Sequence, residues 1–164
     1  MKHLYLIRHA KSSWSNPLLD DFERPLNPRG KNDAPLMAKV LLEKQIFPDL
    51  IFSSPAKRAK TTAEIFAEQL NFTNDIAFEK SLYLTSTQTL LDILHRIPNS
   101  YNTVFLFGHN PELTEFANEL NSTHIDNIPT CGIVGFEFCI QSWNELCKQN
   151  TTLTLFEFPK KYKE

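Results

Sequence analysis

The feature that most constrains the fold is an apolar run that ends abruptly in a cation and an imidazole. Residues 4–7 are apolar, and Arg8 and His9 follow at once. A short continuous run of this kind is typical of a strand buried on both faces of a sheet. The same pattern recurs at 103–107, where Gly108 and His109 follow. Because open α/β sheets carry their chemistry at strand ends, we expect both histidines at one edge of one sheet.

A third apolar run, residues 50–53, leads into Ser54 and Pro55, which we expect to cap a helix. The first turn of that helix carries Lys57 and Arg58. A helix N-terminus is partially positive and ordinarily attracts Asp or Glu, so two cations there indicate an anionic ligand. Backbone N–H groups and a guanidinium that bonds two oxygens at once form a phosphate site. The alternative interpretation is a solvated basic turn.

The alternation of strand and helix patterns predicts the fold class. We expect an α/β protein, a single-domain three-layer α/β/α sandwich with a mostly parallel central sheet, in which residues 1–164 form one domain. The last two strands are expected at 132–139 and 152–158. Asn110 and Pro111 are expected to cap the helix after the central strand. The first helix begins either after Asn27 or, if Pro35 lies in its first turn, after Asp33.

Composition excludes several classes of function. Seventeen basic and nineteen acidic residues give a formal net charge of -2, which predicts neither a nucleic-acid partner nor an acidic tail. The apolar run before Arg8 is too short for a signal peptide, and no segment approaches the ~20 apolar residues of a membrane span. We therefore expect a cytoplasmic protein that binds no membrane. We also expect a monomer, because no apolar stripe is left over once the core is filled.

The residues at the strand ends predict phosphoryl transfer. A neutral imidazole such as His9 can attack phosphorus when its other ring nitrogen is held by a carbonyl. Arg8, Arg58 and His109 supply the positive charge and the donors that the transferring group requires. We expect no metal and no other cofactor, because no carboxylate cluster suited to a metal is evident.

These motifs resemble a known family. Residues 8–10, 53–59 and 108–110 are similar to the histidine phosphatase (phosphoglycerate mutase-like) superfamily. Residues 8–12 and 21–30 resemble more narrowly its SixA-type phosphohistidine phosphatase branch. The resemblance implies a covalent phosphohistidine on His9, phosphate bound by Arg8, Arg58 and His109, and hydrolysis by water. Ala10 stands where many relatives have Gly, as it does in this branch.

The expected general acid differs from that of many relatives. They carry a glutamate before the third helix, whereas residues 79–84 offer no carboxylate that aligns with it. An imidazole leaves a phosphoramidate more easily than an alkoxide leaves an ester, so this difference favours a phosphohistidine substrate. Asp21 is the substitute candidate for the acid, although it can equally belong to a solvated acidic cluster. Arg24 either anchors this loop near the site or only pairs with its acids, and Lys11 either attracts the anion or is an ordinary loop lysine.

Together these observations predict a metal-independent phosphatase that acts through His9. Its partner is expected to be a phosphorylated protein, for example a histidine-containing phosphotransfer domain, or a small phosphorylated metabolite. The alternatives are a phosphatase for small phosphomonoesters and, from another class, a phosphate-binding module without catalysis. Trp14 and Tyr83 either line the mouth of the site or serve packing.

Overall fold

One mixed sheet organises the chain in the computed structural model, which describes residues 1–163. Within that range its strands are β1 (Lys2–Arg8), β2 (Leu50–Ser53), β3 (Ala77–Phe78), β4 (Thr103–Gly108), β5 (Ile133–Phe138) and β6 (Thr151–Glu157). Their order across the sheet is β3-β2-β4-β1-β5-β6. The first four strands in this order run parallel, and β5 and β6 pair antiparallel at one side. The predicted α/β class with a mostly parallel sheet is confirmed.

Helices cover both faces of this sheet. They are α1 (Pro28–Glu43), α2 (Lys57–Gln69), α3 (Thr87–His95) and α4 (Glu112–Leu120). Alternate residues of β1 point to opposite faces, so Leu6 packs in the cluster that includes α3 and α4, and Ile7 in the cluster that includes α1 and α2. Both residues are fully buried, which explains why β1 is apolar without alternation. Among residues 1–163, no helix combines the length and apolar character needed to cross a bilayer.

The first helix begins after Asn27, which is one of its two predicted starts. The Asn27 side chain accepts a hydrogen bond from the backbone N–H of Gly30 at 2.8 Å, and Pro35 lies inside the helix. Gly30 packs against the chain that leaves β1: a Cβ there would lie 2.1 Å from the carbonyl oxygen of Lys11. This contact fixes α1 directly against the segment that follows His9.

The predicted cap of α2 is wrong, and that of α4 is confirmed in part. The cap position of α2 is Ala56 and that of α4 is Pro111, and neither of these two residues has a side-chain hydrogen bond to its helix. Ser54 lies earlier, where its backbone N–H donates to the carbonyl of Phe107 and joins the end of β2 to that of β4. The Asn110 side chain, one residue before the cap position, accepts from the backbone N–H of Thr114 in the first turn of α4. Asn110 therefore stabilises the start of α4, whereas Ser54 lies in the turn that follows β2.

Parallel pairing brings the functional strand ends to one edge of the sheet. Arg8 lies opposite Gly108 in the register of β1 and β4. Beyond the last pair, the His9 backbone N–H still donates to the carbonyl oxygen of Gly108 at 3.1 Å. The segments that follow β1, β2 and β4 therefore meet at the carboxyl edge of the sheet, where an α/β fold places its ligand site.

Candidate active site

The four side chains predicted from the strand ends lie together at this edge. Arg8 ends β1 and His9 follows it, Arg58 lies in the first turn of α2, and His109 follows β4. The rings of His9 and His109 are 5.2 Å apart between centroids, and the Arg58 Nε lies 3.4 Å from the His9 Nε2. His9 and Arg58 are each 7% exposed and His109 is 9% exposed. These side chains form a small, largely buried cluster of cations and imidazoles, which we call the pocket.

The tautomer of His9 is determined by its surroundings. Its Nδ1 lies 2.7 Å from the carbonyl oxygen of Ala10, which can only accept, so Nδ1 carries the proton. The lone pair is therefore on Nε2, which faces Arg58. Burial lowers the pKa of His9 to about 3, and the nearby His109, Arg58 and Arg8 act in the same direction. At neutral pH the ring is an uncharged nucleophile whose Nε2 lone pair accepts one long hydrogen bond from the Arg58 Nε–H, at 3.4 Å.

His109 presents a second imidazole of different character. Its Nε2 lies 2.7 Å from the Ser54 hydroxyl oxygen. Its Nδ1 is buried and has no hydrogen-bond partner within residues 1–163. Burial, followed by the Arg58 charge, lowers the pKa of His109 to about 4. The ring is therefore neutral near pH 7, and its Nδ1 is left without a partner in the described part of the chain.

Arg8 also keeps a donor for a ligand. Its Nη1 donates to the carbonyl oxygen of Ile128 at 2.9 Å, whereas its Nε is buried and has no partner in the described part of the chain. Burial lowers the pKa of Arg8, and the neighbouring Arg58 lowers it further. A buried donor without an acceptor costs about 1–3 kcal/mol, and a phosphoryl oxygen would satisfy it. Together with Arg58 and His109, Arg8 forms a site for a tetrahedral anion next to the His9 Nε2.

Sequence reasoning missed Thr62, which ties the pocket together from inside α2. The Thr62 hydroxyl accepts from the backbone N–H of Ala10 at 3.0 Å and donates to the carbonyl oxygen of Arg58 at 2.7 Å. It thereby connects the residue after His9 to the residue that carries the guanidinium. The only signal in the sequence is a hydroxyl four residues after Arg58, on the helix face that is otherwise formed mainly by Ala59, Ala63 and Phe66.

Asp21 binds directly to Arg58. The guanidinium donates from Nη1 to the Asp21 backbone carbonyl at 2.7 Å and from Nη2 to its carboxylate at 3.0 Å. The Tyr83 hydroxyl donates to the same carboxylate oxygen at 2.7 Å, and Arg24 bonds the other oxygen at 3.0 Å. The hydrogen bond from Tyr83, followed by those from Arg58 and Arg24, lowers the pKa of the Asp21 carboxyl well below its usual range. An ionised carboxylate has no proton to donate, so these contacts favour a structural role for Asp21 over the predicted role as acid.

Arg24 and Lys11, the other two residues predicted near the site, make different kinds of contact. Arg24 anchors the loop that contains Asp21: its Nε donates to the carbonyl of Ser13 at 3.1 Å and its guanidinium stacks 3.2 Å above the Trp14 ring. Lys11 participates through its backbone, since its carbonyl accepts from the N–H of Asn27 at 3.0 Å. Within residues 1–163, no ion pair joins the Lys11 ammonium to the pocket.

Metal ligands are not grouped in this part of the molecule. Over residues 1–163 there is no set of three or more His, Cys, Asp or Glu side chains positioned to bind one metal ion. The donors that line the pocket are arginine and imidazole nitrogens, which suit an anion.

Comparisons with known proteins agree with this geometry. The model of the histidine phosphatase superfamily (branch 1) matches residues 4–83. An uncharacterized chloroplastic protein of Arabidopsis thaliana is 30% identical over 153 residues, which cover 88% of this chain and 70% of that protein.

Solved structures share the whole fold. The protein histidine phosphatase SixA complexed with tungstate superposes with a TM-score of 0.84 at 20% identity, covering 98% of this chain and 99% of that one. A structure assigned as phosphohistidine phosphatase SixA of Agrobacterium tumefaciens has a TM-score of 0.81 at 26% identity, covering 96% and 98%. A mycobacterial glucosyl-3-phosphoglycerate phosphatase reaches 0.70 at 15% identity, covering 94% and 98%.

Proposed function

The chain belongs to the histidine phosphatase superfamily, in its SixA-type branch, and we propose that this phosphatase hydrolyses phosphohistidine in proteins through a covalent phosphoryl group on His9. One observation carries the proposal. The Nδ1–H of His9 is held by the Ala10 carbonyl, so the Nε2 lone pair faces a pocket formed by Arg8, Arg58 and His109. A neutral nucleophile beside three phosphate-binding groups is the arrangement that phosphoryl transfer requires.

The proposed reaction has two steps. The His9 Nε2 attacks phosphorus, its bond to phosphorus forms, and the P–N bond of the substrate breaks as the leaving imidazole nitrogen takes a proton from solvent water. Water then attacks the phosphorylated His9, which releases inorganic phosphate and regenerates the neutral ring. Arg8, Arg58 and His109 stabilise the charge on the phosphoryl oxygens in both steps. Neither of the two proposed steps uses a metal ion.

The state of the acidic loop supports a phosphohistidine rather than an ester as substrate. Asp21 is the carboxyl bound nearest to Arg58, and the hydrogen bonds from Tyr83, Arg58 and Arg24 lower its pKa well below the usual range. It is therefore poorly suited to protonate an alkoxide leaving group near pH 7. An imidazole leaving group makes a smaller demand for a positioned acid.

The exposed apolar residues near this loop support a protein as the carrier of the phosphohistidine. Trp14 is 74% exposed, Leu18 is 91% exposed and Leu84 is 81% exposed. Trp14 stacks on Arg24, which binds Asp21, and Leu84 follows Tyr83, which binds the same carboxylate. Apolar side chains in such positions suit contact with another protein surface better than closure over a small metabolite.

The test is a paired turnover assay in the presence of a chelator. The substrates are a phosphohistidine-containing protein, phosphoramidate and an aryl phosphate. We expect hydrolysis of the P–N substrates and transfer of radiolabelled phosphate to the protein, as an acid-labile adduct that His9→Ala abolishes. His124→Ala is the matched control, because His124 is an exposed histidine paired with Asp126.

Each outcome of this assay decides between the candidates. Full turnover by His9→Ala would disprove the covalent mechanism. Ester hydrolysis equal to or faster than P–N hydrolysis would favour a phosphatase for small phosphomonoesters. Phosphate binding without turnover or labelling would favour a binding module, and loss of turnover in the chelator would overturn metal independence.

A further inference from the structure

We propose that Ser54 is a positioning residue that keeps His109 in its Nδ1–H tautomer, so that this ring meets the phosphoryl group as a neutral donor. The evidence is a set of hydrogen bonds around one buried hydroxyl. The Ser54 side chain is fully buried, and its Oγ lies 2.7 Å from the His109 Nε2. This inference concerns the protonation site of a ring, which the function proposed above leaves open.

The position of Ser54 is fixed through its backbone. Its N–H donates to the carbonyl of Phe107 at 3.0 Å, which connects the ends of β2 and β4. Its carbonyl accepts from the Ser53 hydroxyl at 2.9 Å. The Ser54 Oγ is therefore held at a constant place relative to the residue that follows β4, which is His109.

Within residues 1–163, the one acceptor in contact with the Ser54 hydroxyl proton is the His109 Nε2. The Oγ already accepts from the backbone N–H of Ala56 at 3.2 Å. If the His109 proton were on Nε2, this oxygen would accept a second time and its own proton would have no partner in a buried place, which costs about 1–3 kcal/mol. If the proton is on Nδ1, the Ser54 hydroxyl donates to Nε2 and every polar atom of the serine side chain is satisfied.

The other side of the ring leads to the same assignment. The His109 Nδ1 is buried and has no partner within residues 1–163, while the Arg58 charge lies near the ring. A bare lone pair on Nδ1 would repel phosphoryl oxygens, whereas an Nδ1–H donates to them. Ser54 thus allows His109 to bind phosphate without adding a third full positive charge beside the His9 nucleophile.

The first experiment is nitrogen-15 NMR of histidine-labelled protein at pH 7. We expect the His109 Nδ1 to show the shift of a protonated ring nitrogen and the Nε2 that of an unprotonated one, in the wild type. In Ser54→Ala the two nitrogens should shift toward averaged values, because the hydroxyl that selects the tautomer is gone. An Nε2–H in the wild-type protein would overturn the proposal. This measurement uses the wild-type protein alone, so it does not depend on whether a variant folds.

The second experiment measures kinetics and rests on the function proposed above. Ser54→Ala should lower kcat/KM by about tenfold, less than the ~10²–10³-fold loss typical when an oxyanion donor is removed. Ser54→Thr, which keeps the hydroxyl, should restore both activity and the nitrogen shifts. Ser53→Ala is the matched control, because Ser53 is equally buried and its hydroxyl contacts the Ser54 carbonyl rather than His109. The bond from the Ser54 N–H to the Phe107 carbonyl, which remains in this variant, still holds Ser54 in place.

The two experiments separate the two proposals. If no substrate is hydrolysed but the wild-type nitrogen shifts are as expected, the proposed function fails and the role of Ser54 stands. If Ser54→Ala leaves the nitrogen shifts and kcat/KM unchanged, or Ser53→Ala lowers activity to the same extent, the role of Ser54 is overturned.

Discussion

The pocket has two sides that are built in opposite ways. The floor consists of His9, Ala10, Ser54, Thr62 and His109, which are buried and connected by hydrogen bonds between neutral groups. The rim consists of Trp14, Asp21, Arg24 and Tyr83, which are connected largely through one carboxylate. Arg58 belongs to both sides, because it contacts His9 and Asp21.

The difference shows that the two sides contribute different things: the floor orients the reacting side chains, and the rim supplies ion pairs to Arg58. Hydrogen bonds in a buried, low-dielectric environment hold groups firmly and are costly to leave unmade. The rim is nearer to water, where ion pairs are screened and contribute little to stability. We therefore expect changes in the floor to affect folding and chemistry, and changes in the rim to affect the affinity for anions.

The largest effect expected is a dependence of the free energy of unfolding on pH, caused by the two histidines of the floor. In the folded protein burial lowers the pKa of His9 to about 3 and that of His109 to about 4, below the ordinary value of 6.5. Between those values the unfolded chain binds more protons, so the free energy of unfolding falls as the pH decreases below 6.5. At pH 4.5, two units below 6.5, we expect each histidine to lower the free energy of unfolding by roughly 2–3 kcal/mol, measured by urea unfolding.

Variants on the two sides should respond differently to this titration. His9→Asn removes one titrating group and should make the dependence clearly shallower between pH 6.5 and 4.5. Asp21→Asn should leave that dependence unchanged, because the Asp21 carboxyl is ionised in the folded protein and its ordinary pKa is 3.8. An unchanged slope in His9→Asn would contradict the assignment of a buried neutral ring.

A smaller effect is expected from the hydroxyl that ties the floor to α2. Thr62→Val keeps the shape of the side chain but leaves the buried Ala10 N–H without an acceptor. The free energy of unfolding should fall by about 1–3 kcal/mol in urea titrations, and kcat should fall with it. Thr61→Val, one residue earlier and without that contact, should have little effect; an equal loss there would show that the hydrogen bond is not the cause.

The smallest effect is expected at the rim. Asp21→Asn removes the charge that competes with phosphate for Arg58, so inorganic phosphate should inhibit turnover about three- to tenfold more strongly, in line with the modest energy of a half-exposed ion pair. The unfolding free energy should change by less than about 0.5 kcal/mol. Asp20→Asn is the control, and a collapse of ester hydrolysis without a change in phosphate affinity would instead assign Asp21 as an acid.

The sequence was sufficient to place Arg8, His9, Arg58 and His109 together, because parallel strands bring the residues after them to one edge. It could not reveal the partners that orient them. A serine before a proline resembles a helix cap, and only the meeting of β2 with β4 turns Ser54 toward His109. Asp21 was predicted near the site, but its state depends on Tyr83, which lies 62 residues later in the chain.

The pairing of β1 with β4 also has a consequence for the order of events during synthesis. Arg8 meets Gly108 in the sheet, so the residues around His9 emerge from the ribosome long before the strand that completes their surroundings. Until then β1 is an apolar segment without its central neighbour, and long-range pairing of this kind is slow to form. Catalytic activity in a nascent chain would therefore report that β4 has joined the sheet, which makes turnover a marker of completed folding.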